Sequence, residues 1–181
     1  MANANRTIQI LLAVLAATAI TNGTAKTTHH LQFYMHDTVT ASAGSAPTTE
    51  RVVRGATPLP GDPINRFGDM YVIDDPLTEG PDAASSRVVG RAQGFYLFAS
   101  RSGDGAALLL SANMVFTAGE HNGSAVAVLA RDAILDDVRE LPVVGATGGL
   151  RGAVGYGLLR THAFNASSNN AVLKIDMYLS V

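Results

Sequence analysis

From Leu31 to Val181 the chain sustains no long apolar stripe at helical period. Its apolar residues alternate in short runs, broken by glycine, asparagine, aspartate and proline. A strand changes face at every residue, whereas a helix returns to the same face after three or four. "LQFYMHD" sets Leu31, Phe33 and Met35 against Gln32, Tyr34 and His36, which predicts a half-buried strand. "AVLKIDMYLSV" sets Leu173, Ile175, Met177 and Leu179 against Val172, Lys174, Asp176 and Tyr178. Between them lie "FGDMYVIDD", expected to end at Pro76, then "RVVGRAQGFYLFAS", "AALLLSANMVFTA", "GSAVAVLAR" and "LRGAVGYGLLRTHAF". Asp104-Gly105 and Asn122-Gly123 are the expected hairpin turns. "TVTASAGSAPTTE" and "PLTEGPDAASS" read as loops. "RVVRGATPLPGDPINR" holds three of the seven prolines and cannot be a central strand throughout. About eight strands at near-regular spacing predict an all-β fold, a closed antiparallel barrel or a sandwich. With good strands at both ends, a barrel can pair its first with its last and leave no edge.

The chain has 181 residues, enough for one domain with a real core, and no linker interrupts the strand series. Residues 1–25 read as a secretory signal peptide: Arg6, an apolar run from Ile8 to Ile20, then small residues at Gly23 and Ala25. Residues 26–181 form the expected mature domain, secreted to the extracellular space. With no cysteine, that domain relies on its core or on oligomerisation, and thiol chemistry is excluded. A formal net charge of −2 without charge runs argues against nucleic acid or an anionic membrane as partner. "NGS" at Asn122 and "NAS" at Asn165 are candidate glycosylation sites, while Asn5 and Asn22 fall within the signal.

Most catalytic motifs are missing. There is no "GxGxxG", "GxxxxGK" or "GxSxG", so dinucleotide, phosphate-loop and serine-hydrolase readings fail. His29, His30, His36, His121 and His162 show no HExxH or His-x-His spacing, so no metal site and no cofactor is expected. What remains is polar residues among apolar strands: Asp37 ending the first run, Tyr96 in "QGFYLF", and Asp132 with Arg139 around "AILDDV". Asp132 and Arg139 stand seven residues apart, on one face if helical and on opposite faces in an unbroken strand. By residue type alone, an ordinary ion pair tying a loop is the simpler reading of the two. The alternative is a site in which an acid, a phenol and a guanidinium surround a phenolic or quinone-like ligand.

"FYMHD", "FGDMYVIDDPLTEGPD", "VVGRAQGFY" and "VRELPVVGATGGLRGAVGYG", in this order over Leu31 to Val181, resemble the dirigent protein family of plants. The resemblance implies a secreted (apoplast or cell-wall) eight-stranded antiparallel barrel, similar to allene oxide cyclase and lipocalin barrels. It implies a homodimer or homotrimer with one pocket per barrel. Family members guide the coupling of monolignol radicals, such as those of coniferyl alcohol, to optically active lignans. An outside laccase or peroxidase makes the radicals, and the protein has no oxidative activity of its own. Some relatives act instead on a quinone methide as cyclases or dehydratases, and a cell-wall or defence role without chemistry is a third possibility. The resemblance implies a strand–loop–strand around Asp132 and Arg139, both turned to the pocket, with Asp37 a second acid and Tyr96 a pocket phenol. It marks departures too: Ala146 replaces a glycine, Leu150 an aromatic, and a cysteine pair is missing. The Leu150 change is expected to reshape the pocket.

Overall fold

The computed structural model describes residues 26–101 and 106–181; the signal-peptide reading and the Asp104-Gly105 turn lie outside the described residues. The strands in chain order are β1 (Thr28–Asp37), β2 (Thr49–Val53), β3 (Thr57–Leu59), β4 (Asp62–Phe67), β5 (Met70–Thr78) and β6 (Val88–Phe98). They continue with β7 (Ala107–Phe116), β8 (Ala125–Ala133), β9 (Arg139–Ala146), β10 (Val154–Asn165) and β11 (Asn170–Ser180). Helical structure among the described residues is confined to a 3₁₀ turn, Gly148–Leu150.

Pairing runs β1-β11-β10-β9-β8-β7-β6-β5, and β1 also pairs with β5, closing an eight-stranded antiparallel barrel. First and last strands are joined over their whole length, from Thr28 opposite Ser180 to Asp37 opposite Ala171. Beyond Met35 opposite Leu77, β1 hands over to β2, which continues along β5 from Thr49 opposite Ile73. The proline-rich segment forms β2 and a separate β3–β4 hairpin, outside the ring.

Period-two alternation sets the two faces as the sequence predicts. Phe33, Met35, Tyr71, Ile73, Leu77, Leu110, Met114, Val126, Val128, Leu141, Leu159, Ile175 and Met177 fill the interior, each under 5% exposed. Burying one side chain such as Phe33 or Leu159 contributes about 2 kcal/mol.

Three expectations need correction. The strand expected to end at Pro76 runs on to Thr78, with Pro76 opposite Arg91. Its missing N–H removes no bond to β6, because residue 76 shares the parity of Asp74, whose N–H points to the β1–β2 side and donates to the Thr48 carbonyl. His36, expected on a solvated face, is buried, and its Nε2 lies 2.7 Å from the Thr78 hydroxyl. Asn122-Gly123 does not make a two-residue turn. Residues 117–124 form a longer loop, in which Gly119 (φ 74°) and Gly123 (φ 80°), but not Asn122, adopt the left-handed conformation.

Strand direction divides the barrel into two ends. At one, β1, β6, β8 and β10 finish and β7, β9 and β11 begin. The β7–β8 and β9–β10 loops lie at the other. Leu150 therefore belongs to the far end, where it is 1% exposed and joins the core, away from the acids.

Candidate active site

The alternation that buries Leu31, Phe33 and Met35 turns Asp37 inward at the end of β1. On β5 the same parity carries Tyr71, Ile73, Asp75 and Leu77 inward. Continuing the register of Met35 with Leu77 by two residues brings Asp37 beside Asp75. Asp75 is fully buried, and its Oδ1 accepts hydrogen bonds from the Thr48 hydroxyl at 2.5 Å and the Thr49 hydroxyl at 3.1 Å.

Removal from water dominates both acids. Burial pushes Asp37 up to about 6, against hydrogen bonds from Thr49 and Tyr96 that favour its charged form. Burial pushes Asp75 up to about 8; the Asp37 charge adds to the rise, and hydrogen bonds from Thr48 and Thr49 oppose it. Neighbouring carboxyls in a dry site resist double ionisation, so this pair keeps a proton at neutral pH. Tyr96 is raised as well, by burial first and the Asp37 charge second, and is therefore a neutral O–H donor. Its ring stacks on Tyr71 at 5.0 Å, and the Tyr71 hydroxyl donates to Asn65 Oδ1 at 2.8 Å. The phenol is thus held against a fixed aromatic wall.

A second polar group stands on β8 and β9. Val126, Val128, Ala130 and Asp132 point inward on β8; after the turn at 134–138, so do Arg139 and Leu141. The break in the strand resets the parity, which is why an odd separation places both side chains inside. Arg139 Nε lies 3.3 Å from Asp132 Oδ1, and Arg139 Nη1 donates to the Ile134 carbonyl at 3.2 Å. Burial raises Asp132 despite the Arg139 charge and lowers Arg139 despite the Asp132 charge. Desolvation outweighs the attraction on both partners, as expected for an ion pair in a dry interior.

Ring order places the two groups. β1 and β8 stand four strands apart in the ring of eight, as do β5 and β9. Asp37 and Asp75 therefore face Asp132 and Arg139 across the lumen, with Tyr96 on the intervening wall, on β6 two strands from β8. Lengthwise, Tyr96 is level with Leu110 and Ala130, and Asp132 sits one inward position nearer the rim, level with Leu108 and Phe98. A cleft of about 300 Å³ opens at the rim beside Asp37, Thr38, Phe164 and Asn170, at the lower end of the usual size for small-molecule sites.

Among the described residues, the buried side-chain polar atoms without a hydrogen-bond partner are Asp37 Oδ1, Asp75 Oδ2, Asp132 Oδ1, and Arg139 Nε and Nη2. The Asp132–Arg139 contact is thus a close ion pair without an aligned hydrogen bond. Leaving such atoms unsatisfied costs about 1–3 kcal/mol each, so an interior built only for stability would not gather them in one lumen.

All four expected site residues, Asp37, Tyr96, Asp132 and Arg139, line this lumen. Asp75, Thr49 and Tyr71 were missed. Asp75 and Tyr71 carried a usable signal, since alternation with Ile73 and Leu77 places both on the apolar face. Thr49 carried none, because its place depends on where β2 joins β5. The expected glycosylation residues Asn122 and Asn165 are exposed: Asn122 lies in the β7–β8 loop at the far end, whereas Asn165 lines the rim cleft with Asp37, its Oδ1 accepting from the Ser167 hydroxyl at 2.7 Å.

A closed barrel whose lumen holds opposed, unsatisfied acids and a buried cation is a small-ligand barrel, suited to a ligand with oxygens at both ends. Comparison with known proteins agrees. Residues 28–180 match the family described as Dirigent-like protein. Dirigent protein 21 of Arabidopsis thaliana is 41% identical over 150 residues, which span 83% of this chain and 75% of that protein. Pterocarpan synthase 1 of Glycyrrhiza echinata is 36% identical over 152 residues, spanning 83% and 76%. The solved structure of the pterocarpan synthase dirigent protein GePTS1 superposes with a TM-score of 0.77 at 34% identity, covering 86% of this chain and 91% of that one. The chain belongs to the dirigent protein family.

Proposed function

We propose that the barrel binds two phenoxy radicals of a monolignol such as coniferyl alcohol, made outside by a laccase or peroxidase, and guides their coupling to one enantiomer of a lignan. The supporting observation is the set of unsatisfied atoms on Asp37, Asp75, Asp132 and Arg139, confined to opposed walls of one lumen. Radical coupling leaves a bis-quinone methide with a carbonyl oxygen on each ring. The Asp37–Asp75 pair donates its proton to one such oxygen as a side-chain hydroxyl of the intermediate attacks the quinone methide carbon. Asp132, oriented by Arg139, takes the proton of that hydroxyl. One C–O bond forms, one O–H bond breaks and the ring becomes a phenol, with no net oxidation. Solvent returns both acids to their starting forms.

Shape supplies the selectivity. A tenfold preference for one hand needs only about 1.4 kcal/mol between competing transition states, within reach of one or two contacts to the Tyr71–Tyr96 wall. The proposal places the protein outside the cell, with N-glycans at Asn122 and Asn165 and no metal or organic cofactor in the lumen. Exposed Leu109, Leu129 and Val144 on adjacent strands favour a homo-oligomer, dimer or trimer.

Oxidation of coniferyl alcohol by laccase, with and without the protein, tests this reading through chiral separation of the products. An enantiomeric excess that rises with protein is expected; a racemic product at saturating protein would overturn it. The pterocarpan synthases among the relatives favour a second reading, turnover of a preformed quinone methide by the same acids. That reading requires product to accumulate with no oxidant present.

A further inference from the structure

The end of the barrel away from the acids gathers two imidazoles and a carboxylate from distant segments. His29 is the second residue of β1, and Glu120 and His121 lie in the β7–β8 loop. One ligand atom from each lies within 4.8 Å of the other two. The imidazoles meet edge to face, with ring centroids 5.2 Å apart. Ligand atoms sharing a metal at bond lengths near 2.1 Å stand about 3.5 Å apart, so a small rotation of exposed Glu120 and of the half-buried histidines closes the set.

The backbone beneath these side chains is fixed at both positions. Thr27 and Val181 exchange N–H···O bonds of 3.0 and 2.9 Å beside His29, which pairs with Leu179. In the loop, the His121 carbonyl accepts from Ser124 N–H at 2.9 Å, and Gly123 N–H donates to the Phe116 carbonyl at 3.0 Å. The His121 ring rests 6.2 Å from Phe116, itself packed on Phe33 at 5.7 Å. His30, by contrast, is outward: its ring stacks on Tyr178 at 4.6 Å and its Nε2 contacts Asp176 Oδ1 at 3.2 Å.

We propose that His29, Glu120 and His121 form a binding site for a divalent transition-metal ion of the zinc and copper class. Two imidazoles with one carboxylate suit these borderline ions, whereas Ca²⁺ and Mg²⁺ require oxygen-rich sets. The fourth position is left for water. Bound metal ties the first strand to the β7–β8 loop, a cross-link in a chain that has no cysteine to supply one. The site is independent of the lumen chemistry.

Isothermal titration of the untagged, chelator-treated chain with ZnCl₂ tests the site, together with thermal unfolding. One Zn²⁺ per chain and a rise in Tm are expected. His29→Gln and His121→Gln should each weaken binding at least tenfold, with Tm in EDTA unchanged. Should His121→Gln not fold, His29→Gln decides the question. His30→Ala and Asp132→Asn should bind as the parent does. No saturable binding, full affinity in His29→Gln, or loss of binding in His30→Ala would each overturn the site.

Discussion

Asp132→Asn is expected to leave the barrel folded and to reduce the enantiomeric excess of the coupled product to near zero. The substitution preserves shape, so the lumen still admits phenolic radicals, but asparagine cannot take the proton of the attacking hydroxyl. Its amide also presents N–H groups to Arg139, already 3.3 Å from the carboxylate. Arg139 then loses its anionic partner inside a dry barrel, which costs stability too; breaking a buried pair typically costs about 3–5 kcal/mol. That loss is softened here because burial already lowers Arg139 and its Nε and Nη2 donate to no well-aligned acid. Chiral chromatography of laccase-driven products, with circular dichroism to confirm folding, reads both effects. An undiminished excess would remove Asp132 from the mechanism.

Asp75→Asn is expected to remove most of the loss of stability that the parent shows as pH rises to the alkaline side. Asp75 is pushed up to about 8 in the folded protein, far above an ordinary aspartate near 4. Between about 4 and about 8 the folded state therefore holds a proton that the unfolded chain has released. Stability is fully present below the lower value and declines as pH rises through the folded one. Above it, a charge is forced into a site with no exposure beside a second carboxyl. Asparagine removes that charge while its carbonyl keeps an acceptor for Thr48 and Thr49. Urea unfolding at pH 5 should give similar midpoints for the two proteins. At pH 9 the variant should be the more stable by several kcal/mol, with only the smaller slope from Asp37 left. Parallel stability curves would show that Asp75 ionises normally.

The fold was legible because its determinants are local. Alternation around Phe33, Ile175 and Met177 assigned faces correctly, and good strands at Leu31 and Leu179 allowed closure. The lumen was legible in the same way for Asp37, Tyr96 and Asp132, each in phase with apolar neighbours. What the sequence withheld depends on register and ring order. Nothing local says that β1 gives way to β2 opposite Pro76, so the Thr48 and Thr49 contacts to Asp75 were invisible. Leu150 was misjudged because its place at the far end follows from the direction of β9, not from its motif. Likewise, His29 meets Glu120 and His121 only once the barrel closes, and no spacing rule spans that gap.

The central claim is that the lumen keeps a carboxyl protonated at neutral pH, ready to donate to a phenolic ligand. Infrared titration reads this directly through the C=O stretch of protonated carboxylic acids. A band that persists at pH 7, fades as pH passes about 8 and is diminished in Asp75→Asn is the expected result. Absence of any protonated-carboxyl band at pH 7 would contradict the account, whatever product the barrel makes.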